Sequence, residues 1–115
     1  MRAEMRADLT AALKARDRVA AAALRSVLAA IENAEAVPVD PRLASAPGSA
    51  HVAGAANGPG AAEARRRHLT DADVRSIVEA EVRERARAAE EYERLGRDEH
   101  AGRLRLEIEV LDRYR

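Results

Sequence analysis

Apolar positions recur at helical spacing over most of this chain and show no alternation of the kind strands require. Met5, Leu9 and Leu13 step by four residues and define one stripe, within a stretch (residues 2–36) that holds neither Gly nor Pro. The next positions on that stripe fall at Arg16 and Asp17, and the period resumes at Val19, Leu24, Val27, Leu28 and Ile31. A phase slip at Asp17, a capable N-cap, predicts two helices broken near that residue, with one continuous helix as the alternative. The second should stop before Pro38, because a residue preceding proline is pushed out of the α region.

A third helix has the clearest start signal. In LTDAD, Thr70 is placed to cap the free amides of the first turn, Asp71 and Asp73 suit the helix dipole, and Leu69 is positioned as a hydrophobic staple onto Val74. Val74, Ile77, Val78, Val82, Ala88, Ala89, Tyr92 and Leu95 follow at helical spacing, with Tyr92 expected in the core and its hydroxyl at the rim. Gly96 supplies a left-handed stop. Asp98 opens a fourth helix with Leu104, Ile108 and Leu111 on one face and Leu106 and Val110 beside it. So short a link folds helices three and four into an antiparallel hairpin. The expected fold is all-α: a small antiparallel bundle of about four helices, arranged as two helical hairpins, in a single domain over residues 1–115.

All four prolines and four of the six glycines lie between residues 38 and 60. Residues 37–68 therefore read as a long flexible Ala/Gly/Pro-rich loop inside the domain. Its GAANGPG run is not a phosphate loop, since no strand precedes it, no Lys-Ser or Lys-Thr follows it, and the third glycine of a dinucleotide fingerprint is missing.

Composition limits the core. Of 54 apolar residues 28 are alanine, leaving 26 larger side chains, and Phe, Trp and Cys are absent. Lack of cysteine removes disulfides, thiolate metal sites and thiol nucleophiles together, and suits a reducing compartment. No apolar run approaches the roughly 20 residues that span a bilayer, and MRAEMRADLT lacks the apolar core of a secretory signal. A cytoplasmic location without membrane association is expected.

Charge narrows the partners. Nineteen Arg and one Lys balance 13 Glu and seven Asp, so there is no basic excess of the kind that duplex DNA binding uses. Seven acids stand four residues ahead of a base: Asp71–Arg75, Glu79–Arg83, Glu81–Arg85, Glu90–Arg94, Glu93–Arg97, Glu99–Arg103 and Glu109–Arg113. Such pairs are worth roughly 0.2–0.5 kcal/mol each and make the charged faces solvated structure before anything else.

Candidate chemistry is thin. No serine sits in a Gly-x-Ser-x-Gly elbow, and His51, His68 and His100 are too far apart in sequence for a helical metal site. The sequence predicts no catalytic residue, no metal and no cofactor. Arg65, Arg66 and Arg67 stand just before a helix N-terminus, where they oppose the dipole; the plain reading is a solvated loop end, the sharper one a small patch for a phosphate or an acidic partner.

LRSVLAAIENAE (24–35), LTDADV (69–74), ERARAAEEYERLGRDE (84–99) and RLEIEVLDRY after it resemble, in order and spacing, the GatB/YqeY-domain family. The resemblance covers residues 5–36 and 69–114 and corresponds to that family's N-terminal helical lobe; the family usually continues through a Leu-Pro into a second small lobe. It implies an all-helical module related to the tail of GatB, one of the polypeptides of the glutamine-dependent tRNA amidotransferase, a tail associated with tRNA and not with the chemistry. Family labels accordingly mention carbon–nitrogen ligase activity with glutamine as amido-N-donor, although a free-standing amidotransferase would need amidase and ATP-site sequence that these residues do not supply. The expected function is a non-catalytic accessory module, with tRNA or a tRNA-amidotransferase-related protein as partner. The alternative is a protein-interaction or homo-oligomerising module with no RNA role. Arg25, Asn33 and Glu35 in the second-helix motif, with Arg97 and Glu107 around the final hairpin, join Arg65–Arg67 as candidate binding residues; interhelical hydrogen bonding is the plain alternative for Arg25 and Asn33, and pairing with Glu93 or closing the turn for Arg97.

Overall fold

A computed structural model describes residues 1–36 and 67–115. The described residues form four helices and no strand: α1 (Arg2–Ala15), α2 (Arg18–Ala36), α3 (Asp71–Arg94) and α4 (Asp98–Asp112). Most of the stretch expected as a flexible loop lies outside the described residues; Arg67, His68, Leu69 and Thr70 are in irregular backbone.

The phase slip at Asp17 is a true break. Arg16 adopts left-handed backbone (φ 58°, ψ 34°). Its N–H donates to the Leu13 carbonyl at 3.2 Å, and the Asp17 N–H to the Ala12 carbonyl at 2.9 Å. These two bonds make a Schellman motif, which satisfies the free carbonyls at the end of α1. Asp17 then caps α2, its Oδ1 accepting from the Ala20 N–H at 3.0 Å.

At the start of α3, Thr70 Oγ1 accepts from the Asp73 N–H at 3.1 Å and Asp73 Oδ2 from the Thr70 N–H at 2.9 Å, a complete capping box. Between α3 and α4 the Schellman pattern returns. Gly96 has φ 75°, its N–H donates to Glu93 at 3.1 Å, and the Arg97 N–H reaches the Tyr92 carbonyl at 2.8 Å.

The chain divides into two compact units, Met1–Ile31 with Thr70–Arg115, and Glu32–Leu69. In the second, the Arg67 N–H donates to the Glu35 carbonyl at 2.9 Å. The first holds a core of Met5, Leu24, Val27, Ile31, Val78 and Leu111, all fully buried, with Ala21, Ala23, Ala89 and Ala101 between them. Antiparallel α3 and α4 form the most extensive helix pair.

Three leucines depart from the pattern. Leu13, at the end of its stripe, is 47 % exposed because α1 turns away at Arg16; Leu95 is 62 % exposed as the residue that caps α3; Leu106 is 50 % exposed, two positions round α4 from Leu104. On α4, Ala101, Glu107 and Leu111 are the buried residues while Leu104 and Ile108 are half-buried, so the inward face lies one position away from the purely aliphatic one. Tyr92 is half-buried, with its ring centroid 4.8 Å from that of His100, and the fully packed tyrosine is Tyr114, 3 % exposed just past α4.

The two described glycines separate backbone from packing. A Cβ at either would meet nothing within 4 Å. Gly96→Ala should therefore destabilise by about 1 kcal/mol through its positive φ alone, whereas Gly102→Ala, inside α4, should stabilise by up to about 1 kcal/mol. Chemical denaturation of the two variants checks the opposite signs.

Candidate functional site

Three places on the first unit gather charged or polar side chains. The one with the most deeply buried charged side chains lies where α2, α3 and α4 meet. Arg85 donates from Nε to Glu107 Oε1 at 2.9 Å, and from Nη1 to Glu81 Oε1 at 2.8 Å and the Glu81 carbonyl at 3.1 Å. Ser26 Oγ donates to the same Glu81 oxygen at 2.8 Å. Only 12 % of the Arg85 side chain, 17 % of Glu81 and 12 % of Glu107 is exposed. Burial opposes the Arg85 charge, but hydrogen bonds and attraction from Glu81 and Glu107 outweigh it, so the guanidinium sits above its ordinary pKa. The serine faces a carboxylate already bound to a guanidinium, with no imidazole in the network, so the arrangement ties helices together and does not activate a nucleophile.

A second cluster closes the end of α4 onto α1. The Tyr114 hydroxyl donates to Asp8 Oδ2, and Arg113 Nη1 lies 3.5 Å from the same carboxylate. Burial and the Asp8 carboxylate hold the phenol well above its usual pKa, offset only in part by Arg113.

The third place is the elbow between α1 and α2. Arg16, Arg18 and Arg25 line a groove of about 150 Å³ together with Ala12, Leu13, Asp17, Ala21 and Ala22. Arg18 and Arg25 stand two turns apart on one face of α2, and Ala21 and Ala22 lie between them. All three arginines are exposed, and none has an ion-pair partner among the described residues. Arg83, Arg85, Arg94, Arg105, Arg113 and Arg115 each hold a carboxylate, whereas Arg6, Lys14, Arg75, Arg87, Arg97 and Arg103 are also exposed with no ion pair among the described residues; the elbow differs from these in bringing three such cations to one groove. Asp17 is the one acid lining the groove, and its side chain is engaged by the Ala20 amide. Three cations against one anion leave a net charge of +2 round a small opening with an apolar floor.

The structure disperses the residues singled out from sequence. Arg25 belongs to the elbow and Glu107 to the Arg85 network. Arg97 is exposed at the α3–α4 turn, where its N–H closes the Schellman motif; its side chain caps nothing, and Glu93 pairs across the hairpin with Arg105 at 2.8 Å. Asn33 is exposed and Glu35 half-buried near the end of α2, and Glu35 meets Arg67 through backbone atoms. Arg65 and Arg66 lie outside the described residues. Of the seven spaced pairs, Glu79–Arg83 (3.9 Å) and Glu81–Arg85 (2.8 Å) form among the described residues, while Arg94 turns to Glu91 and Arg113 to Asp8. Sequence reading missed Ser26, the reach of Arg85 to Glu107, and the elbow itself. The signal for the last was present in Arg16 and Arg18 flanking the break, but their convergence with Arg25 depends on the turn.

No group of three or more His, Asp or Glu side chains is placed to hold a metal among the described residues, and no described helix is long and apolar enough to cross a membrane. A family model described as Yqey-like protein matches residues 58–115 and so takes in α3 and α4. No curated protein and no solved structure matches the chain.

Arg85→Met should cost about 2–3 kcal/mol, because it strands two largely buried carboxylates, and Arg85→Met with Glu107→Leu should recover part of that loss; denaturant midpoints of the single and double variants measure it. For Tyr114 the folded pKa lies above the unfolded value of about 10. Its contribution to stability is therefore complete below pH ~10 and is lost as pH rises toward the folded pKa. Melting curves from pH 8 to 11 should fall more steeply above pH 10 in the wild type than in Tyr114→Phe.

Proposed function

The chain belongs to the Yqey-like protein family, and on that footing we propose that it is a cytoplasmic, non-catalytic helical module that meets tRNA, or RNA of the translation apparatus, through the α1–α2 elbow. One observation carries the reading: three exposed arginines without ion-pair partners among the described residues line a single groove, in a chain whose net charge is zero. Phosphate neutralisation is the main source of affinity for nucleic acid, and it needs local cations that no carboxylate has already claimed. The GatB/YqeY resemblance, which reaches Leu24-Arg25, supplies the expectation that the RNA is tRNA and that the amidotransferase chemistry belongs to other polypeptides. The polar networks support a role without catalysis, since each pairs its groups internally and presents none to a reacting atom.

Titration of the purified chain with tRNA at two salt concentrations tests the reading. Binding should be measurable at low salt and weaken steeply as salt rises. Arg18→Glu with Arg25→Glu should abolish it, while Arg83→Glu, remote in sequence from the elbow, should leave it nearly intact. Absence of binding at low salt removes the RNA role. A mass in light scattering that grows with concentration, together with that absence, would favour the self-associating module.

A further inference from the structure

The two interhelical turns use one backbone motif and fill its left-handed position differently. The α3–α4 turn has glycine there, at φ 75°; the α1–α2 turn has Arg16, the one non-glycine residue with positive φ among the described residues. A side chain in left-handed backbone is disfavoured relative to glycine, and only Asn and Asp tolerate it readily. A second local rule is broken two residues on. Arg18 is the first residue of α2, whose first turn contains no acid, so its charge opposes the helix dipole. Both disfavoured residues line the same groove, and the third cation there, Arg25, reaches it from two turns away. Where neighbouring positions each go against local stability and converge on one surface, the compensation is sought in binding.

We propose that Arg16 is held in left-handed backbone to complete, with Arg18 and Arg25, a site for closely spaced phosphates. Guanidinium forks match phosphate oxygens two at a time, which an ammonium cannot do. The surplus of two positive charges suits a ligand bearing at least two negative ones, and a groove of about 150 Å³ bounded by Ala21, Ala22 and Leu13 admits a phosphoryl group without closing over it. The chemistry is shared by a nucleic-acid backbone and by a linear polyphosphate. The site rests on the binding-module reading and adds to it both the ligand class and the residue on which affinity depends.

The test uses the full chain, calorimetric titration and two separate probes, sodium tripolyphosphate and tRNA, at matched ionic strength. Arg16→Gly should melt several degrees higher than wild type and bind tripolyphosphate about tenfold more weakly, while Gly102→Ala binds it as wild type does. Equal tripolyphosphate affinity in Arg16→Gly and wild type, no binding to wild type, or a melting temperature that fails to rise would each overturn the proposal. If tripolyphosphate binds as expected and tRNA does not, the phosphate site stands and the RNA reading falls. If tRNA binds and Arg16→Gly changes neither probe, the RNA reading stands and this inference falls.

Discussion

Arg85 is the group on which the arrangement of α2, α3 and α4 depends. Its Nε reaches Glu107 on α4, its Nη1 reaches Glu81 one turn back on α3, and Ser26 of α2 donates to that same Glu81 oxygen. A guanidinium suits the position because it spreads several donors in a plane, and two carboxylates with one carbonyl use them without leaving a buried side-chain atom unpaired among the described residues. A network of this kind is weak evidence of net stability, since burying its charges costs much of what their attraction returns. Its effect is on register: once Glu107 faces α3, the inward face of α4 is set by that contact.

The need for such a tie follows from the core. The six most deeply buried large side chains are one Met, two Leu, one Ile and two Val, and alanines occupy much of the remaining interior. Alanine favours the helix and lets helices approach closely, but it buries little area and distinguishes poorly between one rotational setting and the next. Aliphatic seams alone would leave α4 free to choose between neighbouring faces, and the exposed Leu106 shows that the choice did not go to the greatest number of leucines. Tyr114 performs a similar task just past the C-terminal end of α4, where its hydroxyl fastens to Asp8 of α1.

Charge is organised in two ways. On α3, α4 and the chain end, several arginines are drawn to carboxylates by hydrogen bonds that fix the bundle or the helix surface. At the elbow they are not. A net charge of zero therefore conceals an uneven distribution: local pairing neutralises much of one region, and the turn at Arg16 collects unmatched cations in another.

The helices and their ends were legible in the sequence because their causes are local. The break at Asp17, the cap at Thr70 and the stop at Gly96 each depend on atoms within a few residues, and each is found where the residue types place it. The all-α class follows from helical periodicity and the same end signals, and family membership follows from a sequence match over residues 58–115. What only the tertiary structure decided involves partners far apart in the chain: that Glu107 and not Ile108 turns inward, that Tyr114 and not Tyr92 is packed, that Arg94 and Arg113 leave their four-residue partners, and that Arg16, Arg18 and Arg25 share a groove. Spacing along a helix fixes which residues share a face. It carries no information about which face a neighbouring helix will choose, because that depends on contacts between side chains separated by tens of residues.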